Sequence, residues 1–197
     1  VGCASPTPTL SPSPLATASF VALVSPNPLP SRSVHDGTVP MLSGKPIEIG
    51  PRYILRRVLD LYKQKGWEPI VAPELEFYLV AQQHDPDIPL KPPVGRSGRP
   101  ETGRQSYSID AVNEFDPILD DMYDYAEAME LDVDTLIHES GAAQLEVNFQ
   151  HADPLSRADQ VFLFKRTMRE CALRHGIYAT FLAKPMENEP GSAMHIH

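Results

Sequence analysis

The sequence predicts an α+β domain, an antiparallel sheet with flanking helices, running from about residue 46 to 197 and preceded by a Pro/Ser-rich segment over 1–45. Three observations predict it. Short stretches near 69–81, 134–139, 143–149, 177–184 and 192–197 alternate apolar and polar residues, the period of half-buried strands. Some of these stretches follow one another like hairpins and others are linked by helical periods, which fits α+β better than a βαβ series. Proline and charge also divide the chain. Of the 197 residues 21 are proline, nine of them within the first 50, and residues 1–31 carry no charged side chain.

Each element has a local reason. Val1–Ser33 is built from Pro, Ser, Thr and Ala, with no periodic apolar face, and each proline removes a backbone donor. A disordered, partly polyproline tract is expected. Leu15–Val24 is an apolar run, but a membrane span takes about 20 such residues. A signal peptide would begin with a basic region that is missing here. A third reading is that the stretch is not native coding sequence.

Pro51 suits the first turn of a helix, Ile54, Leu55, Val58, Leu61 and Tyr62 give it an apolar stripe, and Gly66 stops it. Residues 82–106 form a proline-rich loop. Asp116-Pro117 opens a second helix carrying Ile118, Met122, Tyr125, Ala126 and Met129. Asp153 caps a third, with Pro154 just inside, a stripe from Ala158 through Val161, Phe164, Met168, Cys171 and Ala172, and Gly176 at its end. The two cysteines, Cys3 and Cys171, make neither a disulfide framework nor a thiolate zinc site. Two reduced thiols in a cytosolic chain are expected.

Charge narrows the function. Lys plus Arg number 17 and Asp plus Glu 26, a net −9. The charges of residues 1–50 cancel, so the excess lies in the last 147 residues. Phosphate contacts need a Lys/Arg surplus, so a nucleic-acid partner is not expected. No stretch is long and apolar enough to suggest a membrane partner.

The informative pattern is acidic. Alternation in Pro73–Leu79 puts Glu74, Glu76 and Tyr78 on one face and Leu75, Phe77 and Leu79 on the other. In Gln144–Phe149 it groups Gln144, Glu146 and Asn148. In Met194–His197 it groups His195 with His197. Glu139 ends the strand before Glu146, across a turn containing Gly141. Each strand alone reads as a solvent-facing surface. Three that carry acids, amides, Tyr and His, without the usual Lys, Thr and Ser, point instead to an oxygen-rich site suited to Mg²⁺ or Mn²⁺. Two carboxylate clusters would fit two metals and phosphoryl chemistry. The Arg/Gly stretch Val94–Arg104 could cradle phosphate, but its spacing matches no phosphate-binding fingerprint, and a flexible surface loop is favoured.

Three stretches resemble glutamine synthetases, and most closely their γ-glutamyl–amine ligase subgroup: APELEFYLV at 72–80, HESGAAQLEVNF at 138–149 and ATFLAKPMENEPGSAMHIH at 179–197. GRSGRPETGRQSYSID at 95–110 also looks like the amine-ligase subgroup. The resemblance implies a cytoplasmic, ATP-dependent ligase of nitrogen metabolism with two Mg²⁺ or Mn²⁺ ions. It would join glutamate to ammonia or a primary amine such as putrescine through γ-glutamyl phosphate, in homo-oligomeric rings. By matching position, Glu76, Glu139 and Glu146 would hold one metal, and Glu74 and His195 the second. His197 would contact phosphate, Asp134 the nucleotide, and Gly191 would line the glutamate pocket.

The Pro/Ser tract does not resemble the family's small N-terminal domain. The family's catalytic glutamate flap and substrate-gripping arginines would lie after His197. The expectation is therefore the N-terminal part of a catalytic domain, with no catalytic residue of its own and inactive by itself. Two other readings stay open: a non-catalytic structural oligomer on the same scaffold, and a zinc hydrolase using His195 and His197.

Overall fold

A computed structural model describes residues 47–101 and 104–197; the segment expected to be disordered over 1–45, with Cys3, lies outside the described residues. The chain divides into two units, Val1–Gly50 and Pro51–His197. Of the first, a turn closed by the Gly50 N–H on the Ile47 carbonyl (2.9 Å) is described.

The second unit opens with α1 (Pro51–Gln64), which ends in Gly66 at φ 74°, a left-handed conformation that glycine adopts without strain. The apolar stripe of α1 is present, yet none of its residues is buried. Arg52 ties the helix to Asp159, far along the chain, with Nη2–Oδ2 at 2.9 Å. Periodicity reports an apolar face and says nothing about what covers it. β1 (Pro73–Ala81) begins later than the alternation starting at residue 69 suggests. Before it, Val71 makes only an isolated bridge to Ala152.

A short helix, α2 (Ile109–Asn113), was not expected; Ser108 caps it by accepting from the Ala111 N–H (3.2 Å). α3 (Asp116–Ala128) follows with proline in its first turn, then β2 (Val133–His138) and β3 (Gln144–Phe149). α4 (Pro154–Arg174) is capped by Asp153, whose carboxylate accepts from the Leu155 and Ser156 N–H groups, both at 3.0 Å. β4 (Ile177–Thr180) and β5 (Met194–Ile196) complete the unit. Asp153→Ala is expected to destabilise it by about 1 kcal/mol, seen as a lower urea midpoint with an unchanged slope.

The sheet runs β2-β3-β1-β4 and every described pairing is antiparallel. β1 is its axis. β3 covers one edge of β1, while β5 and β4 share the other, β5 at Pro73–Leu75 and β4 at Tyr78–Ala81. This register sorts the side chains. Leu75, Phe77, Leu79, Leu145, Val147 and Phe149 turn to one face, where α3 and α4 close a core containing Met122, Phe164, Met168 and Cys171. Phe164 sits edge-on to Phe149 and Phe77, with centroids at 5.4 and 6.3 Å. The sheet with flanking helices is the α+β arrangement the sequence predicts. Among the described residues, no helix is long and apolar enough to cross a membrane.

Candidate metal centre

The other face of the sheet carries the acids. Register places Glu76 opposite Glu146 on β3, and Glu74 between Asn148 on β3 and His195 on β5. Glu74, Glu76 and Glu146 each bring a carboxylate oxygen within 4.8 Å of the others. Glu74, His195 and His197 form a second such group. His195 Nδ1 contacts one oxygen of Glu74, and His197 Nε2 lies 3.0 Å from the other. Glu74 therefore belongs to both groups, where the family resemblance divides the ligands as Glu76, Glu139 and Glu146 against Glu74 and His195.

The remaining candidates surround this core. Glu139 follows β2 and extends its ladder, its N–H donating to the Gln144 carbonyl (2.8 Å). Its carboxylate accepts from the Ser140 N–H (3.2 Å), and its charge acts on Glu76 and Glu146, although neither close group includes it. Gly191 presents its carbonyl to Gln144 Nε2 at 3.0 Å. Asp134 lies near the start of β2, exposed, and its charge acts on Tyr123 of α3.

The electrostatics are those of crowded acids. Burial pushes Glu146 up to about 7 against the Asn148 hydrogen bond, and repulsion from Glu74, Glu139 and Glu76 adds to the rise. Burial also raises Glu76, with Glu139 and Glu74 reinforcing it against a backbone contact at Ala193. Burial pushes Glu74 the same way, but the hydrogen bonds from His195 and His197 outweigh it, and the group lies below its ordinary value. The hydrogen bond and charge of Glu74 raise His195 in turn. Three carboxylates this close call for positive charge, and a set of oxygens with adjoining imidazoles suits a hard divalent cation. The residues present fit Mg²⁺ or Mn²⁺.

Gln144, Asn148 and Tyr78, which alternation already groups with the acids, support them through contacts that spacing alone does not show. Gln144 is fully buried; its Nε2 donates to Glu76 Oε2 and to the Gly191 carbonyl, both at 3.0 Å. Its Oε1 accepts from the Gly141 N–H at 3.0 Å and faces the Tyr78 hydroxyl at the same distance. Gly141 is required by this approach, because a Cβ there would lie 2.0 Å from the Tyr78 oxygen. Asn148 Nδ2 donates to Glu146 Oε1 (2.8 Å).

Glu101 reaches from the Arg/Gly loop into the β2–β3 turn. It pairs with buried His138 (3.0 Å) and accepts from the Ala143 N–H (2.9 Å). Ala143 sits at φ 57°, a conformation costly for alanine, so Glu101 helps hold a strained turn between two acidic strands. Burial lowers the proton affinity of His138, but the Glu101 hydrogen bond and charge win and raise it. Stability from this pair is full below the unfolded histidine value and falls as pH rises through the folded one. Glu101→Ala is expected to destabilise the unit by about 1–3 kcal/mol, more at pH 6 than at pH 8 in urea unfolding.

The Arg/Gly loop supplies its own anion. Glu114 accepts from the Ser97 N–H (3.0 Å) and fills the space a Cβ at Gly95 would need. Arg96 pairs with Asp116 (2.6 Å), and Arg104 Nη2 reaches the Asn188 carbonyl (3.4 Å). The stretch expected to be a flexible surface loop is thus tied to Glu114, Asp116 and the Asn188 carbonyl.

Comparison with known proteins places the whole arrangement. The family model described as "Glutamine synthetase, catalytic domain" matches residues 48–197. The chain is 39% identical over 157 residues to gamma-glutamylputrescine synthetase PuuA of Escherichia coli, covering 78% of this chain and 33% of that protein. It is 33% identical over 154 residues to glutamine synthetase of Pyrococcus horikoshii, covering 78% and 32%. The chain thus spans about a third of the length of these curated relatives. Among solved structures, the one titled "Apo GmaS without ligand" superposes with a TM-score of 0.65 at 26% identity, over 78% of this chain and 34% of the other. A structure titled "Crystal structure of novel glutamine synthase homolog" gives 0.65 at 21% identity, over 81% and 34%, a likeness of fold alone. The chain belongs to the glutamine synthetase family, and the described sheet and helices are part of that family's catalytic domain.

Proposed function

We propose that this chain carries the metal-holding part of an ATP-dependent γ-glutamyl ligase. The observation that carries the reading is the convergence of Glu74, Glu76 and Glu146 within 4.8 Å on the open face of the sheet. Membership of the glutamine synthetase family supports the reaction class. The γ-carboxylate of glutamate would take the terminal phosphoryl group of ATP, releasing ADP. Ammonia or a primary amine would then attack the acyl carbon, expelling phosphate and giving up a proton. A divalent cation, when bound, would neutralise phosphate charge and stabilise the charge that develops in transfer.

The chain's own residues have separable tasks in this reading. Glu74, Glu76 and Glu146 hold the cation, with His195 beside Glu74 and Glu139 close by. Asn148 and Gln144 aim Glu146 and Glu76. His197 serves the phosphate side, Asp134 the nucleotide, and Gly191 the glutamate pocket. The chain spans about a third of the length of its curated relatives, and by itself it is expected to show no ligase turnover. The active protein would be a cytoplasmic homo-oligomeric ring. The ligase part would run from about residue 46, near the residue 48 at which the family match begins.

The acceptor is proposed to be a primary amine. The greater identity to a gamma-glutamylputrescine synthetase than to the glutamine synthetase of Pyrococcus horikoshii, 39% against 33%, supports it. The test is ATP-dependent phosphate release by the full-length ligase containing this sequence, with glutamate plus putrescine and with glutamate plus ammonia. Faster release with putrescine is expected. Faster release with ammonia overturns the amine assignment, and no release with either overturns the ligase.

A further inference from the structure

We propose that Gln144 is a positioning residue that couples the carboxylate cluster to the 183–192 segment, so that a divalent cation held by Glu76 tightens that segment. The inference rests on the metal reading above. Gln144 is fully buried and its amide is completely used. One Nε2 hydrogen goes to Glu76 Oε2 and the other to the Gly191 carbonyl, each at 3.0 Å. Its Oε1 takes the Gly141 N–H and faces the Tyr78 hydroxyl, which also reaches the Pro190 carbonyl at 2.7 Å. An amide is planar, so these contacts are set together by the side-chain torsions. Fixing Glu76 fixes the plane, and the plane decides how well the Gly191 carbonyl is held.

The segment has a defined exit to read. It closes on itself where the Ser192 N–H donates to the Ala183 carbonyl (2.8 Å). The backbone is tight there, since a Cβ at Gly191 would come within 2.9 Å of the Ala183 oxygen. Glu189 adds a second tether by accepting from the Ala142 N–H (3.1 Å), but that contact does not touch the carboxylate cluster. Among the described side chains, Gln144 donates both to a carboxylate of the cluster and to the carbonyl of Gly191. A carboxylate pinned by a cation moves less, and the donor that holds its other oxygen is restrained with it. Restraint at the Glu76 carboxylate therefore passes to Gly191 through the Gln144 side chain, beside the backbone bond of the Glu76 N–H to the Ala193 carbonyl (3.1 Å).

The test is amide hydrogen exchange of residues 183–192 in this chain, with and without saturating Mn²⁺, in wild type, Gln144→Leu and Tyr78→Phe. Mn²⁺ binding to each is read separately by its paramagnetic resonance signal. In wild type, Mn²⁺ is expected to slow exchange at Ser192 by about three- to tenfold, the scale of one hydrogen bond. In Gln144→Leu at saturating Mn²⁺ the slowing is expected to disappear. In Tyr78→Phe, which keeps the Glu76 and Gly191 contacts, it is expected to persist in part. Equal slowing in Gln144→Leu and wild type overturns the coupling, as does bound Mn²⁺ that leaves the wild-type segment unchanged. Absence of Mn²⁺ binding to wild type overturns the metal reading itself, and the coupling with it. Should Gln144→Leu fail to fold, Gln144→Met, which keeps the side-chain length without the amide, decides: slowing equal to wild type there overturns the coupling, and lost slowing supports it.

Discussion

Glu146→Gln is expected to act with opposite signs in the presence and absence of a divalent cation. Glutamate ordinarily titrates at 4.5, whereas burial and neighbouring acids push Glu146 up to about 7 in the metal-free fold. Between these values the folded chain holds the extra proton. Stability therefore falls as pH rises through that window, and the penalty is complete above pH 7. Glutamine keeps the shape and removes the charge. At pH 8 without metal, the variant is expected to be more stable than wild type, on the order of 2 kcal/mol after allowance for solvent screening. With Mn²⁺ the order reverses. Wild type gains stability from binding, and the variant, short of one ligand, loses affinity by at least the roughly 10–100-fold that an outer-sphere loss costs. Thermal melts at pH 5 and pH 8, with Mn²⁺ and with chelator, read all four conditions. A variant less stable than wild type in chelator at pH 8 would show that the acids are not repelling one another.

Phe164→Ala carries the largest expected loss of stability. Phe164 is fully buried on α4 and meets Phe149 and Phe77 of the sheet edge-on, with Phe181 beyond. It joins the helix layer to the strands that carry the acids on their other face. Truncation is expected to cost about 3–5 kcal/mol, the cavity term included. That is a large part of the roughly 5–15 kcal/mol that holds a typical domain together. Urea unfolding followed by circular dichroism should show the midpoint collapse. A shift worth less than about 1 kcal/mol would mean that α4 does not close this core.

Much of this arrangement is legible in the sequence, for a reason the sheet makes plain. Alternation fixes which residues share a face, and the apolar partners Leu75, Phe77, Leu145 and Val147 force that face inward. The grouping of Glu74 with Glu76, and of Glu146 with Asn148, thus follows from period two alone, whereas Met194 and Ile196 beside His195 stay exposed. What alternation does not fix is which strands are neighbours. The pairing of Glu74 with His195 depends on β5 returning to β1 beside β4, a long-range choice with no local signal. The same gap hides Glu101, which reaches His138 across 37 residues of sequence. Gln144 is visible as a member of the acidic face, but its link to Gly191 is not, because that contact needs the loop's path. α1 shows the converse. Its stripe of Ile54, Val58 and Leu61 is helical as expected and yet remains exposed among the described residues. α2 was missed because five residues offer too little periodicity, although Ser108 three residues before Ala111 is a capping signal.

Titration calorimetry of Mn²⁺ into this chain and its Glu76→Ala variant at pH 7.5, with Zn²⁺ in parallel, tests the central claim most directly. The account predicts Mn²⁺ binding to wild type that is lost in the variant, since Glu76 shares the β1 face with Glu74 and lies opposite Glu146 on β3. Absence of Mn²⁺ binding to wild type, equal affinity in the two proteins, or binding of Zn²⁺ alone would contradict it.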